Sequence, residues 1–309
     1  MTMTALFSRR QPGGIYTIQD MEAHPGVVRF VDASHAAAAN ALGGGRSPDK
    51  PFSTLAYVMT NAATLTPALA AGDVIYVMPG HTETIAAAAG IACATAGVKI
   101  IGLGWGASRP TFTWSAVGST WTITAASVYI KNIRVTATAA ATLLFSSSAA
   151  DLTIDSVDYI EGSGIPLQFL LTTADSDRLT VKNCKHYAVT AGASAQIWIQ
   201  LVGVDDVDID SNLFHLALNN ASGTYTIRAS TAGVRGTIRN NICMQTGGTT
   251  QTAVISLVAA STGYVTGNRV AGNITTLAGM VALASAYGSE NYTSNTVNLS
   301  GIIDPVADT

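Results

Sequence analysis

Short stretches in which apolar and polar residues alternate return along the chain at nearly fixed intervals. They read VKIIGLG, VYIKNIR, LTIDSVD, LTVKNCK, VDIDSNL, GTIRNNI, GYVTGNR and ENYTSNT, centred on Ile100, Ile130, Ile154, Val181, Ile209, Ile238, Val265 and Tyr292. The intervals are 30, 24, 27, 28, 29, 27 and 27 residues, and Ile75 in GDVIYVMPG adds an earlier copy. Alternation inside each copy predicts a strand. A spacing this constant predicts one such strand per coil of a stacked repeat.

The columns of this alignment carry more than strand propensity. The central position is apolar in every copy. Two places later stand Gly102, Asn132, Ser156, Asn183, Ser211, Asn240, Gly267 and Ser294, residue types that tolerate a sharp bend or left-handed backbone. The next column reads Leu103, Ile133, Val157, Cys184, Asn212, Asn241, Asn268 and Asn295. Coils about 4.8 Å apart would stack the four asparagines into an inward ladder, each amide bonding the next. Two places further, Trp105, Val135, Tyr159, His186, Phe214, Cys243, Val270 and Val297 form another inward column. Another strand per coil lies upstream in TWTIT, TLLFS, IPLQFLL, QIWIQL, YTIRAS, AVISLV and MVALAS. Three short strands per coil describe a right-handed parallel β-helix of eight or nine coils over residues 72–300, an all-β fold.

An open solenoid needs caps, because its core and strand edges are bare at both ends. Within 46–71, Pro51 suits a first helical turn, and Phe52, Leu55, Met59 and Ala62 make an apolar stripe, so this segment reads as a capping helix. Residues 1–45 read as an extended arm with two short strands, and 301–309 as a tail.

Charged residues are only 11% of the 309, and the net charge of -3 argues against a nucleic-acid footprint. No apolar run is long enough to span a membrane. The opening MTMTALFSRRQPGG lacks the apolar core of a signal peptide, so synthesis in a cytoplasm is expected. Cys93, Cys184 and Cys243 are too few for a disulfide framework, and the five histidines lack metal-ligand spacing, so neither cofactor nor metal is expected. His186, on an inward column, reads as a buried hydrogen-bonded side chain, and PGHTETI as a first-coil turn.

The acidic residues are the candidate chemistry, since paired carboxylates cleave glycosides. Asp155, Asp158 and Asp210, however, fall in outward columns that alternate in sign: Lys131, Asp155, Lys182, Asp210, Arg239, and Arg134, Asp158, Lys185. That pattern reads as register-setting surface charge. Asp205 and Asp206, in the loop GVDDVD, resemble a catalytic carboxylate pair only superficially, so no catalytic residue is expected. In the same flank Leu213 and Ile242 fall where neighbouring coils put charges, leaving an apolar strip and a candidate subunit contact.

From GDVIYVMPG to NLSG the chain resembles the pectin-lyase-like β-helix proteins. It does not carry the Asn-Thr-Asp, His-Gly and Arg-Ile-Lys elements of polygalacturonases, or the Arg-x-Pro-x-x-Arg of pectate lyases; Arg109-Pro110 has no following Arg at that distance. GGGRSPDKPFSTL, AGDVIYVMPGHTETI and VKIIGLGWGASRPTFTW, followed by asparagine-laddered coils, resemble β-helix proteins of tailed bacteriophages. That resemblance implies a non-enzymatic virion structural protein: a homotrimeric capsid decoration or cement protein on the virion surface, partnered by the major capsid protein or another virion protein. The alternatives are a tail spike or fibre component, or a carbohydrate-active enzyme, a lyase or depolymerase, acting on a host glycan.

Overall fold

The structure is a computed structural model that describes residues 26–188, 190, 196–217, 224–230, 233–246, 253–272, 280–295 and 302–303. Three sheets run along a common axis, with ladders of ten, eight and ten strands. The first sheet begins with Val28–Val31, Val74–Val77 and Lys99–Gly102 and ends with Tyr287–Ser289. The second runs from Thr82–Ile85 to Asn291–Asn295 and is closed by Ile302–Ile303. The third, of eight strands, runs from Ile91–Cys93 to Val281–Ala282. Each strand pairs in parallel with its counterpart one coil on; the exception is Ile302–Ile303, which is antiparallel to Asn291 and Tyr292. The chain is therefore a parallel β-solenoid.

Ile75, Ile100, Ile130, Ile154, Val181, Ile209, Ile238 and Val265 are successive Cα partners in the first sheet, as the repeat predicts. The bend column is left-handed at Asn132, Ser156, Asn183, Ser211, Asn240 and Gly267, with φ from 55° to 66°. Gly102 is different: a Cβ there would lie 2.2 Å from the Asn132 carbonyl oxygen, so its role is close approach. Inside, rings pass from Phe112 to Trp121, Phe145, Phe169 and Trp198 with centroids 5.2–5.4 Å apart.

Four expectations are corrected. In the last coil Val265 pairs with Gly288 and not with Tyr292, so the repeat shortens to 23 residues there. Gly288 supplies no side chain because Leu283 fills that space: a Cβ would meet Leu283 Cδ1 at 2.3 Å. Glu290 (φ 54°) takes the bend in place of Ser294. Secondly, Trp105 is not inward. Phe112 is the register partner of Val135, and Trp105 lies in an inserted loop, 84% exposed. Thirdly, the helix expected across 46–71 is confined to Leu55–Thr60, capped by Thr54, whose hydroxyl accepts from Tyr57 N–H. Pro51 precedes it, and Phe52 bridges to Val31. The helix buries Leu55, Val58 and Met59 and packs against Ile91–Cys93, the first strand of the third sheet. Fourthly, the second of the short strands expected in residues 1–45 is present as Val28–Val31, but it is the first strand of the first sheet and not part of a free arm, and the expected tail contributes Ile302–Ile303. Residues 1–25 lie outside the described residues.

Candidate functional site

The asparagine corner is a continuous buried chain of amides. Asn212 Oδ1 accepts from Cys184 N–H at 2.9 Å. Asn241 Oδ1 accepts from both Asn212 N–H (3.0 Å) and Asn212 Nδ2 (2.9 Å), and Asn268 Oδ1 accepts from Asn241 N–H and Nδ2, both at 3.0 Å. The other Nδ2 hydrogens go to the carbonyls of Val181, Ile209 and Ile238 at 2.9 Å. Every donor and acceptor of a buried side-chain amide is thus used, which is the condition for placing one in a core. The fourth rung is Asn291, whose Oδ1 accepts from Asn268 Nδ2 at 2.9 Å. Asn295, the expected fourth rung, sits opposite Gly272 at the end of its strand, displaced by the short last coil.

The alternating outward columns exist as registered. Lys131, Asp155, Lys182, Asp210 and Arg239 are successive partners. Arg239 reaches Asp210 at 3.3 Å and Asp208 at 3.1 Å. Asp155 is not a surface charge, being 4% exposed. Burial raises its pKa, but hydrogen bonds from Asn183, Ser156 and Tyr129 and the charge of Lys131 outweigh that, and the carboxyl stays below the usual carboxylate range. In the second sheet Asp158 is paired with Arg109, from the inserted loop, at 2.5 Å, while Arg134 donates to the Gly106 carbonyl at 2.6 Å.

A third alternating column, Asp151, Arg178, Asp206 and Arg235, lies at the start of the first-sheet strands. The register of the adjoining strands identifies it, and sequence reading missed it because these four residues flank the repeat. Arg178 donates to both oxygens of Asp151 at 2.5 and 2.8 Å, and Arg235 to both oxygens of Asp206 at 3.0 Å. Arg235 also stands 3.6 Å from Asp205. The two bidentate partners hold the Asp151 and Asp206 carboxyls below the ordinary carboxylate range. A general acid for glycoside cleavage needs the opposite displacement.

His186 is buried as expected but not in the way expected. It stacks on Trp198 with centroids 3.8 Å apart and leans on Tyr159 at 4.6 Å, and its Nδ1 has no hydrogen-bond partner among the described residues. Burial, with a smaller contribution from the charge of His215, pushes its pKa down to about 3. Burial likewise pushes the thiols of Cys93, Cys184 and Cys243 up to about 12, so these are small core groups, not nucleophiles.

PGHTETI is more than a turn. His81 Nδ1 accepts from Ala33 N–H at 2.9 Å, so its proton is on Nε2, which faces Glu83 Oε2 at 3.1 Å. The Glu83 carboxylate also accepts from Leu55 and Ala56 N–H at 2.6 and 2.8 Å, the free donors at the start of the helix. A second buried pair, Arg29–Asp73 (2.7 Å), bonds the Pro67 carbonyl and Val27 N–H. Both networks join distant segments, a link that no local pattern signals.

Leu213 and Ile242 are register neighbours between Lys185 and Arg269 on the outer face of the second sheet. Leu213 is half-buried and Ile242 is 36% exposed. Two positions along the same strands lie Ile160, Tyr187, His215 and Met244, a neighbouring column that is apolar except at His215, whose Nε2 pairs with Thr246 Oγ1 at 3.0 Å. Exposed tyrosines also stand on the first sheet, where Tyr264 and Tyr287 stack on each other with centroids 5.8 Å apart. Among the described residues no cluster of His, Cys, Asp and Glu is arranged to hold a metal ion. No helix of the described residues is long and apolar enough to cross a membrane.

No family model matches this sequence, and no curated protein matches it. Among solved structures, a rhamnogalacturonan lyase is similar with a TM-score of 0.41 and 13% identity, over 91% of this chain and 90% of that one. The assignment of the fold rests on the strand pairing described above.

Proposed function

We propose that the chain is a non-enzymatic structural component of an assembled particle, of the kind that decorates the capsid of a tailed bacteriophage. The observation that carries this reading is the commitment of the candidate carboxylates: Asp151, Asp158, Asp205 and Asp206 each face an arginine from a neighbouring coil or from the inserted loop. Such pairs fix register and commit these four carboxyls to ion pairs. Stacked coils repeat one flank along the axis, so a cyclic oligomer buries a long narrow surface with few residue types. The strip of Leu213, Ile242, Met244, Tyr187 and Ile160 is the face assigned to a homotrimer contact.

Two measurements test this. Mass spectrometry of purified particles should find the chain in fixed ratio to the major shell protein, and a reducing-end assay on bacterial surface polysaccharides should stay flat. Depolymerisation that is lost in Asp205→Ala/Asp206→Ala would replace the reading with a glycan-cleaving one. Sedimentation at micromolar concentration should give a trimer that Leu213→Lys/Ile242→Lys converts to monomer; a wild-type monomer removes the interface.

A further inference from the structure

Nine buried side-chain polar atoms among the described residues have no hydrogen-bond partner, and three of the nine belong to two neighbouring arginines: Nε and Nη1 of Arg109 and Nε of Arg134. The two side chains run past each other on the second sheet. Arg134 reaches back to the Gly106 carbonyl at 2.6 Å, and the same carbonyl accepts from Arg109 N–H. Arg109 reaches forward to Asp158, the register partner of Arg134. Its Nη1 stands 2.5 Å from Asp158 Oδ2, an ion pair without hydrogen-bond alignment. The ladder arginines of the first sheet behave differently, for Arg178 and Arg235 each turn Nε and Nη2 together onto one carboxylate. Side-on pairing of that kind is the strong mode of arginine recognition. At Arg109 and Arg134 the Nε edge is unused.

Charge points the same way. Arg109, Arg134 and Lys185, one rung further, stand about a single carboxylate, Asp158, in a chain whose net charge is -3. Glu161, three residues on, is already bonded to Thr190 N–H at 2.9 Å. Buried guanidinium donors without an acceptor are costly, so the pair calls for an anion. The Arg109 and Asp158 side chains are 15% and 27% exposed, so the place lies just under the surface and suits a small anion. Its frame is held in advance. Asn132 Nδ2 donates to the Gly102 and Gly104 carbonyls at 2.7 and 3.1 Å, and Gly80 N–H donates to the Ser108 carbonyl at 2.7 Å. Donors fixed in this way lose little freedom on binding.

We infer that Arg109 and Arg134 form a binding site for a small oxyanion, a free phosphate or sulfate or a carboxylate, beside the loop that carries Trp105. The guanidinium Nε edges supply the hydrogen bonds, and Asp158 is the internal carboxylate that competes for them. The site is independent of the particle role argued above.

Equilibrium urea unfolding of the full chain tests it, with sodium phosphate, sulfate and acetate each titrated against chloride at fixed ionic strength. The midpoint should rise with millimolar oxyanion and then saturate, because a ligand held only by the folded chain stabilises it. Arg134→Gln should lose that rise. Saturation and the need for Arg134 separate binding from the general stabilisation that sulfate gives folded proteins. Asp158→Asn removes the competing carboxylate and should lower the apparent Kd several-fold; it decides the matter if Arg134→Gln does not fold. A response to phosphate and sulfate but not acetate assigns the site to a tetrahedral anion, and an equal response to acetate assigns it to a carboxylate. A midpoint set by ionic strength alone, a full response in Arg134→Gln, or an Asp158→Asn response no stronger than wild type overturns the site.

Discussion

Replacing Asn241 by leucine asks how much the amide chain contributes, and the answer can be worked from its partners. The side chain is fully buried. Its Oδ1 is the acceptor for Asn212 N–H, and its Nδ2 donates to the Ile209 carbonyl and to Asn268 Oδ1. Leucine fits the space, since Ile133, Val157 and Cys184 occupy the same column in earlier coils. What leucine cannot do is accept from Asn212 N–H and from Asn212 Nδ2, and two stranded buried donors cost at least about 2 kcal/mol between them. The two deprived oxygens lose less, because Asn268 Oδ1 keeps the Asn241 backbone N–H. The expected loss is about 2–3 kcal/mol, read by equilibrium urea unfolding. Asn212→Leu with Asn241→Leu should cost about 1 kcal/mol less than the sum of the two, since both remove the same amide-to-amide bond. Hydrogen exchange should accelerate most in the strands Val207–Asp210 and Arg235–Arg239, the coils that flank the break. A loss below about 0.5 kcal/mol, or strict additivity, would refute the idea that the column is a coupled chain.

Three further outcomes follow from geometry. Asn183→Val should destabilise by about 1–3 kcal/mol in the same unfolding assay, because a β-branched residue is forced to φ near 56° and the bond to Asp155 is lost. His186→Phe should flatten the acid side of the stability profile: the folded pKa of about 3 lies below the unfolded value, so from pH ~6.5 downwards only the unfolded chain binds the proton. Stability from this group is therefore complete above that pH and falls by up to about 1.4 kcal/mol per pH unit towards pH 3; identical profiles for the two proteins would refute it. Trp105→Phe should remove most acrylamide-quenchable tryptophan fluorescence while changing stability by no more than about 0.5 kcal/mol, because Trp114, Trp121 and Trp198 are buried and Trp105 is 84% exposed.

What the sequence reveals here, and what it hides, follows from how a solenoid is built. Stacking forces every coil to solve the same inward problem, so the core column, the left-handed bend and the asparagine chain recur at a readable interval. The reading fails where one coil solves that problem with residues from elsewhere. Leu283 fills the place of Gly288, and ENYTSNT then imitates the repeat four residues out of step. The inserted loop does the same to Trp105, because it puts a bulky apolar residue at the right count in the wrong space. Val28–Val31 carries the strand pattern but lies 46 residues before its partner, with the helix between, so no period announces it. The paired networks of Arg29–Asp73 and His81–Glu83 were illegible for the same reason. Outward positions face no repeated constraint, and that freedom makes them informative once the register is known. Alternating charge along a column is what resistance to register slip requires, whereas an apolar pair interrupting such a column adds nothing to that resistance. Leu213 and Ile242 break a charged column in two adjacent coils, and an unforced break of that kind is where contact with another molecule should be sought first.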